Sequence, residues 1–352
     1  MLYSDLKKYF ALNNNELNLH DYIQFCLYSK NGFYNSNFAF GKSGSFITSP
    51  MISSIFGDLV ALFLINLIQS NQNFDKINII EIGSGNGNLL FDIISRFTKY
   101  PDIYEKIIFI SIEKGIKNKE YLSNKFKNKV NLISNIDNIG NFIEDNPCFF
   151  ISNELLDAYP VNQYIFEKNE WWQTKIRILN GKLLKFLCNN FNKTELLEYI
   201  TKFYTNDIKM PKILEISLQS INDFTQICKI INKNNGGMLY FDYGYINHLN
   251  KSTIQGIYKH KKVDILNIPC DITHLINFSI FYNIVENNIQ NFTHLSIENQ
   301  GNFLKSIGIE ELANIYKKNA KNNTEIDNIN QSVNRLTNEM GDLFKILLCY
   351  KF

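Results

Sequence analysis

The length and charge of this chain bound what it can be. Its 352 residues suffice for one elaborated domain, or for two, with a large buried core. With 36 basic and 34 acidic residues the formal net charge is +2, which argues against a nucleic acid or an anionic membrane surface as partner.

The first part of the chain, residues 1–75, is predicted to be mostly helical. It surrounds a glycine-rich loop, "FGKSGSFITSP" at 40–50, which is interpreted either as a lid over a ligand or as a surface loop ending in a helix cap. The longest apolar run, "LVALFLINLI" at 59–68, is about half the ~18 residues that a membrane-spanning helix needs. It therefore predicts a buried helix and no membrane insertion.

From residue 76 onward, apolar strands alternate with helical stretches. Near-continuous apolar strands separated by helices are typical of a parallel sheet covered on both faces. The sequence therefore predicts an α/β fold, a Rossmann-like sheet with helices on both faces. The predicted strands include "INIIEI" (77–82), "KIIFISIE" (106–113), "KVNLIS" (129–134), "CFFIS" (148–152) and "GMLYFDYG" (237–244), with "FTHLSI" (292–297) and "LFKILLCY" (343–350) completing the sheet.

The predicted domain organisation has three parts. Residues 1–75 form an N-terminal helical and lid region, whereas 76–160 and 212–352 form the core. Residues 161–211 are predicted to be an insertion on the substrate side. Within it, Asn180-Gly181 lies between two partly alternating segments and predicts a hairpin with a type I′ turn.

A glycine loop, "IIEIGSGNGNLL" at 79–90, lies between the first predicted strand and a helix. Glycines there let the backbone turn tightly and approach a ligand at a helix N-terminus. A phosphate-binding loop needs Lys-Ser/Thr after its last glycine, where this chain has Asn88-Leu89. A dinucleotide-binding loop needs glycine at position 88, which is asparagine here. The carboxylate of Glu81 also repels phosphate. S-adenosylmethionine suits the site better, because it carries an ammonium and a sulfonium.

The candidate cofactor residues extend beyond this loop. Glu113 ends the second strand, where an acid accepts hydrogen bonds from ribose hydroxyls. The structural alternative is an ordinary strand-to-helix turn with surface acids. The full set of cofactor candidates is Glu81, Gly83, Ser84, Gly85, Gly87, Glu113, Thr48 and Asn135.

A third motif, "CFFISNELLDAYP" at 148–160, delivers an amide and two acids at the end of the fourth strand. Ligands of an open α/β sheet lie outside the carboxyl ends of the strands. Asn153, Glu154 and Asp157 are therefore expected to face the transferred methyl group. Alternatively, Asn153 is a helix cap and the two acids belong to the first turn of that helix.

The chain resembles the MidA-like family of class I S-adenosylmethionine-dependent methyltransferases over nearly its whole length. "SNELLDAYPVNQY" (152–164) is similar to that family's N-E-L/F-x-D-A-x-P-V stretch. Further matches, in order, are "LYSKNGFYN" (27–35), "GKSGSFITSPMISSIFGDL" (41–59), "GGMLYFDYGY" (236–245), "DITHLINF" (271–278) and "MGDLFKIL" (340–347).

The mitochondrial members of that family are arginine methyltransferases that help to assemble respiratory complex I. The resemblance therefore implies a protein substrate, with a complex I subunit as the first to try, and pairing into a homodimer. An arginine substrate needs a carboxylate to orient its guanidinium, for which Glu154 is the first candidate and Asp157 the second. Asp242 and Tyr243, at the end of the fifth strand, are expected to form a wall of the substrate pocket; the alternative for Asp242 is a strand-end cap.

The chain departs from the family pattern at four positions. Ser45 and Met51 replace the usual aspartate and glutamate, and Leu275 and Asn277 replace the usual histidine and aspartate. These losses keep open a non-catalytic assembly factor, and a small-molecule methyltransferase is a further alternative.

The cysteines bear on location. All six are scattered, with no C-x-x-C pair, and residues 1–15 have neither a secretory nor a transit pattern. The sequence therefore predicts reduced thiols in the cytoplasm, and it suggests no metal site.

Overall fold

The computed structural model describes residues 2–36, 48–71, 74–204 and 210–352. The chain divides into two compact units. The hairpin unit comprises residues 1–46, 156–222 and 245–283, and the sheet unit comprises residues 47–155, 223–244 and 284–352. These units divide the chain at positions other than the predicted domain boundaries, which remain a prediction.

The sheet unit contains the predicted strands. They are β1 (Ile77–Ile82), β2 (Ile107–Ile112), β3 (Asn131–Ile133), β4 (Cys148–Asn153), β5 (Gly236–Tyr245), β6 (His294–Asn299) and β7 (Phe344–Lys351). Their spatial order is β6-β7-β5-β4-β1-β2-β3. Strands β1 to β5 are parallel. Strand β7 runs antiparallel to both of its neighbours, β5 and β6, so β7 is reversed and β6 runs in the direction of β1 to β5.

Helices cover this sheet. The longest within the unit, α1 (Ser54–Gln69), contains the predicted buried apolar run and packs in the core with α2 (Asn88–Phe97) and α3 (Ile116–Phe126). The other helical segments of the unit are Ser49–Ile52, Pro101–Tyr104, Lys127–Lys129, Ile136–Asn138, Gly140–Ile143, Gln300–Ser306, Ile309–Lys318, Asn323–Asn334 and Arg335–Glu339. Two helices, Leu218–Asn234 and Phe278–Asn288, contain boundaries between the units.

The hairpin unit combines helices with antiparallel strands. Its helical segments are Leu2–Leu12, Leu19–Tyr28, Phe33–Ser36, Leu156–Ala158 and Thr194–Phe203. Its strands are Glu16–Asn18, Asn162–Glu167, Glu170–Leu179, Lys182–Cys188, Ile213–Ile216, Gln255–Tyr258, Lys261–Val263, Asp271–Thr273 and Ile276–Asn277. The predicted hairpin is confirmed: Glu170–Leu179 pairs with Lys182–Cys188, and Asn180 and Gly181 both have positive φ, as a type I′ turn requires.

Among the residues that the structure describes, no helix is both long and apolar enough to span a bilayer. None of the six cysteines, all of which lie within the described ranges, forms a disulfide, and Cys148 and Cys349 are fully buried.

Candidate functional site

The order of the strands in the sheet unit defines where a ligand belongs. The chain proceeds from β1 outward to β2 and β3 on one side, and from β4 to β5 on the other. The crevice between the carboxyl ends of β1 and β4 is thus the point where the strand order reverses, which is where open α/β sheets bind ligands. Ile82 pairs with Ser152, so the residues that follow these strands emerge together at one edge.

The glycine loop after β1 adopts the conformation that its sequence predicts. Gly83, Gly85 and Gly87 have φ values of 73°, 53° and 67°, the left-handed region that glycine tolerates without strain. A Cβ on Gly83 would lie 2.7 Å from a side-chain carbon of Leu155. Ser84 is buried, and its hydroxyl lies 2.7 Å from that of Ser111 on β2.

Glu81 lies just before this loop and is 4% exposed. Burial raises the pKa of its carboxyl to about 7; Ser84 opposes the shift and the charge of Glu113 adds to it. Its Oε2 is buried and has no hydrogen-bond partner among the described residues. A cation placed beside that oxygen would satisfy it and favour the ionised form.

Glu113 follows β2 and is held by the backbone. Its Oε2 accepts the N–H of Gly85 at 3.0 Å, and its Oε1 accepts the N–H of Gly115 at 2.8 Å. Burial raises its pKa, while both N–H donors lower it. Each carboxylate oxygen has a second lone pair, so the side chain keeps acceptors for the hydroxyls of a ribose.

The end of β4 carries the site's most unusual backbone. Glu154 has a φ of 52°, a left-handed conformation that costs a non-glycine residue energy and is frequent at functional sites. Two donors reach its Oε1: the backbone N–H of Ser49 at 3.1 Å and the Asn153 Nδ2 at 3.2 Å. Among the described residues no hydrogen bond ends on Oε2.

The protonation of Glu154 differs from that of an ordinary glutamate. Burial raises its pKa to about 8; the Ser49 N–H and the Asn153 amide lower it, whereas the charge of Asp242 raises it. Near neutral pH the group is thus poised to gain or lose a proton. A proton acceptor of this kind is suited to general-base chemistry.

Asp242 lies within β5, three residues before the strand ends at Tyr245. It is 1% exposed, its Oδ2 accepts the N–H of Leu155 at 3.1 Å, and its Oδ1 accepts the N–H of Tyr243 at 2.8 Å. The ring of Tyr243 packs on Phe344, with centroids 3.9 Å apart.

The remaining cofactor candidates make local contacts. Thr48 is the N-cap of the helix Ser49–Ile52, without a side-chain cap hydrogen bond. Asn135 caps the turn Ile136–Asn138, accepting the N–H of Asn138 on its Oδ1 at 3.3 Å. The predicted lid, at 40–50, lies outside the described residues up to position 47, as does the departure at Ser45. Met51, a second departure, is half-buried.

Asp157 belongs to the hairpin unit. It is 7% exposed, and its carbonyl accepts the N–H of His274 at 3.2 Å. The two other departures also lie in this unit. Leu275 donates its N–H to the Thr253 hydroxyl at 3.0 Å, while the buried Oδ1 of Asn277 has no partner among the described residues.

The residues of the sheet unit fit a cationic donor. Three left-handed glycines leave the main chain bare, and an unsatisfied buried carboxylate oxygen of Glu81 lies just before the loop. Glu113 is held at the middle of the loop by the N–H of Gly85. Three polar atoms around the β4 end are also buried without a partner among the described residues. They are Ser49 Oγ, Ser152 Oγ and Asn153 Oδ1.

Sequence reasoning missed several groups that build this site. Leu155 packs against Gly83, and Lys125 at the end of α3 donates to the glycine loop at two atoms. Their signal in the sequence is weak. Lys125 follows Leu122 by three residues on a lysine-rich helix, which is equally typical of a solvated face.

The comparisons with known proteins agree with this geometry. Residues 59–295, which are 237 of the 352, match the model of a family described as "Putative S-adenosyl-L-methionine-dependent methyltransferase". A match over this share of the chain confirms the family resemblance seen in the motifs.

Curated relatives match most of the chain at low identity. "Protein arginine methyltransferase NDUFAF7 homolog, mitochondrial" from Caenorhabditis elegans is 24% identical over 327 residues, covering 87% of this chain and 75% of the relative. The Xenopus laevis protein arginine methyltransferase NDUFAF7 is 26% identical over 343 residues, covering 89% and 76%. Its human counterpart is 24% identical over 310 residues, covering 79% and 67%.

Solved structures confirm the predicted α/β Rossmann-like fold. A Burkholderia thailandensis protein crystallised with S-adenosyl-homocysteine superposes with a TM-score of 0.80 at 18% identity, covering 99% of this chain and 92% of that one. A native structure from the same organism gives a TM-score of 0.79 at 18% identity, covering 99% and 91%.

One prediction is wrong. The chain was expected to be cytoplasmic, but the relatives are named as mitochondrial proteins, and nothing found supports a cytoplasmic location. The expectation came from the unpaired cysteines and from the lack of a secretory or transit pattern in residues 1–15. Unpaired thiols indicate reducing conditions, and they do not tell one reducing compartment from another.

Proposed function

The chain belongs to this family of S-adenosyl-L-methionine-dependent methyltransferases, and we propose that it methylates a nitrogen of arginine on a protein substrate. The cofactor is S-adenosyl-L-methionine, which supplies an electrophilic methyl group on a positively charged sulfur. The protein substrate and the arginine acceptor are supported by the names of the curated relatives. The resemblance adds a complex I subunit as the first substrate to try, and pairing of two copies.

We place the donor on the glycine loop. Gly83, Gly85 and Gly87 offer bare main chain, and the unsatisfied Oε2 of Glu81 attracts the donor's ammonium. Glu113, held by two loop N–H groups, accepts from the ribose hydroxyls. Ser84, Thr48 and Asn135 complete the proposed set around the donor.

The observation that carries the acceptor side is the geometry of Glu154. Its strained backbone lies at the reversal point of the strand order, its Oε1 is fixed by two donors, and its Oε2 is open among the described residues. A guanidinium, with a pKa above ~12, arrives charged and needs a carboxylate to aim one nitrogen. A bound guanidinium would in turn favour the ionised form of Glu154.

The proposed transfer moves a methyl group from sulfur to nitrogen. The lone pair of the attacking nitrogen forms the new bond to the methyl carbon, and the pair of the broken carbon–sulfur bond stays on sulfur. The methylated guanidinium remains singly charged, so one proton leaves the attacking nitrogen. Glu154 takes that proton, which suits a carboxyl whose pKa is about 8.

The other polar residues support this role. Asn153 holds the Glu154 carboxylate through its amide, and Asp242 holds the following turn through the N–H of Leu155. We propose that Asp242 acts through this turn and that Tyr243 forms the pocket wall. Asp157 is the second candidate to contact the acceptor.

Labelled donor tests the proposal. Purified protein is incubated with methyl-labelled S-adenosylmethionine and a lysate of the source organism, with Glu154→Gln as the matched control. Proteins are then separated and hydrolysed to amino acids. We expect label in methylarginine from a protein band, and little label with the variant.

Two other outcomes would contradict it. Label in a small metabolite would show a small-molecule methyltransferase. The absence of label, in a protein that binds S-adenosylhomocysteine, would show a non-catalytic assembly factor. That second candidate is favoured by the departures at Met51, Leu275 and Asn277, where polar groups usual in the family are changed.

A further inference from the structure

A lysine that the mechanism does not use makes close contacts with the glycine loop. Lys125 lies in the last turn of α3, and its Nζ donates to the Asn86 carbonyl at 2.8 Å and to Asn88 Oδ1 at 2.8 Å. Both acceptors belong to the part of the loop between Gly85 and the start of α2. One ammonium therefore joins a loop carbonyl to the first residue of the next helix.

Lys125 contacts the loop from a helix face that is already packed on it. A Cβ on Gly87 would lie 2.5 Å from a Leu122 side-chain carbon and 2.9 Å from the Phe126 ring. Positions 122, 125 and 126 lie on one face of a helix. The same helix begins just after Gly115, whose N–H holds Glu113. Helix α3 thus begins beside Glu113, the residue proposed to bind the ribose, and its last turns contact the glycine loop at Gly87.

The charges around Lys125 give it a second role. It faces two carboxyls of the sheet unit, Glu81 on β1 and Asp92 on α2. Beyond Glu81 lies Glu113, and beyond Asp92 lies Asp58, which is bound by Arg96 and Tyr316. Lys125 is the cation whose charge lowers the pKa of both Glu81 and Asp92.

Three aromatic rings lie near the ammonium of Lys125, which is part-buried. Its Nζ lies 5.3 Å from the centroid of the Phe91 ring, and 5.9 Å from those of Tyr121 and Phe126. Such rings attract a cation through their electron-rich faces. Charge interactions are stronger where water is scarce. Partial burial of Lys125 therefore strengthens the interaction of its charge with Glu81 and Asp92.

We propose that Lys125 is a positioning residue for the methyl donor: it fixes the glycine loop at Asn86 and Asn88, and it places a positive charge near Glu81, the carboxyl that attracts the donor's ammonium. This inference rests on the proposed donor placement. Lys125 itself does not touch the donor. Its loss would weaken donor binding, most strongly at low pH, where Glu81 without its cation takes up a proton.

Titration calorimetry with S-adenosylhomocysteine tests this inference, because that probe keeps the ammonium and ribose of the donor and reports binding without turnover. Lys125→Met removes charge and hydrogen bonds, while Lys125→Gln keeps a shorter hydrogen-bond donor without charge. Lys117→Met, an exposed lysine on the same helix, is the matched control. Circular dichroism checks that each variant folds.

At pH 7 we expect Lys125→Met to raise the Kd about 10-fold, which corresponds to one 1.4 kcal/mol step. The loss should be larger at pH 6 than at pH 8.5. Lys125→Gln should show the same pH dependence even if Lys125→Met fails to fold, and Lys117→Met should stay within about 2-fold of wild type.

The outcomes separate the inference from the proposal on which it rests. Wild-type affinity in the Lys125 variants, or a loss that is equal at both pH values, would overturn the positioning role alone. If the wild-type protein does not bind S-adenosylhomocysteine, or if Gly85→Val binds it normally, the donor placement is wrong and the inference falls with it.

Discussion

Two glutamates of the sheet unit stand at equivalent places and are built for different tasks. Glu113 follows β2 and Glu154 follows β4, each at the carboxyl end of a parallel strand. Backbone N–H groups reach both oxygens of Glu113, one from each side. Both donors to Glu154 reach the same oxygen, and its backbone is in the left-handed region.

This difference sets their chemistry. N–H donors on both oxygens favour a carboxylate that stays in place and only accepts hydrogen bonds. The raised pKa of about 8 at Glu154 favours a group that changes its protonation state near neutral pH. Burial raises the pKa of both carboxyls and the donors lower it, so the contrast lies in which oxygens are held: both oxygens of Glu113 and only Oε1 of Glu154 among the described residues.

The largest expected effect is the loss of affinity for the methyl donor when Gly85 is replaced by valine. Gly85→Val places a β-branched side chain at a φ of 53°, which such residues avoid, and fills the space where main chain meets ligand. We expect the Kd for S-adenosylhomocysteine to rise more than about 100-fold in calorimetry, or some 2.7 kcal/mol. Unchanged affinity in a folded variant would place the donor elsewhere.

Exchanging the carboxylate of Glu154 for an amide tests the acceptor side. Glu154→Gln keeps the size of the side chain but cannot take up the proton or pair fully with a guanidinium. We expect transfer of label to fall about 100-fold, as loss of a general base does. Donor affinity should change less than about 3-fold. A collapse of donor affinity would assign Glu154 to the donor instead.

The matched change at Glu113 should weaken donor binding and leave the rate of methyl transfer at saturating donor nearly unchanged. Glu113→Gln weakens the acceptors offered to ribose and the hold on the N–H groups of Gly85 and Gly115. We expect the Kd for S-adenosylhomocysteine to rise about 10-fold, as loss of a charge-assisted hydrogen bond would produce. Transfer at saturating donor should stay within about 3-fold. A large fall in saturated transfer with normal affinity would contradict the assigned roles.

The smallest expected effect is on stability, and its sign follows from the raised pKa. Between the ordinary value near 4.5 and about 8, folded Glu154 holds a proton that the unfolded chain has lost. Stability from this group is therefore complete below pH 4.5 and is lost as pH rises through that window. Glu154→Gln has no such loss.

Urea unfolding at pH 5.5 and pH 8.5 measures this effect. We expect the difference in free energy of unfolding, Glu154→Gln minus wild type, to be about 1–2 kcal/mol larger at pH 8.5 than at pH 5.5, so that the variant is relatively more stable at the higher pH. One pKa unit corresponds to ~1.4 kcal/mol, and solvent relaxation reduces the total. Glu120→Gln, at an exposed position, serves as control. An equal difference at both pH values would show that Glu154 is already ionised in the folded protein.

The sheet and the glycine loop were predictable because local chemistry dictates them. Apolar runs at 77–82 and 148–152 needed only their period and length, and β1 has the predicted bounds. The left-handed values at Gly83 and Gly87 follow from the tolerance of glycine. Likewise the Asn180-Gly181 turn follows from residue types that accept positive φ.

The rest depended on contacts distant in sequence. Nothing local to Glu154 predicts its left-handed backbone, since glutamate ordinarily avoids that region. The hydrogen bond from Leu155 to Asp242 joins residues 87 positions apart, and Lys125 meets Asn86 across 39 positions. The direction of β7 is set by pairing with β5, which an apolar run does not reveal.

The contact between Gly83 and Leu155 restricts how this enzyme can change. Leu155 donates its N–H to the Asp242 carboxylate. The Leu155 side chain fills the volume that any larger residue at position 83 would need. Remodelling the segment after β4 for a new acceptor would therefore shift a wall of the donor cradle. Evolution of acceptor choice in this chain is mechanically linked to donor affinity through one leucine.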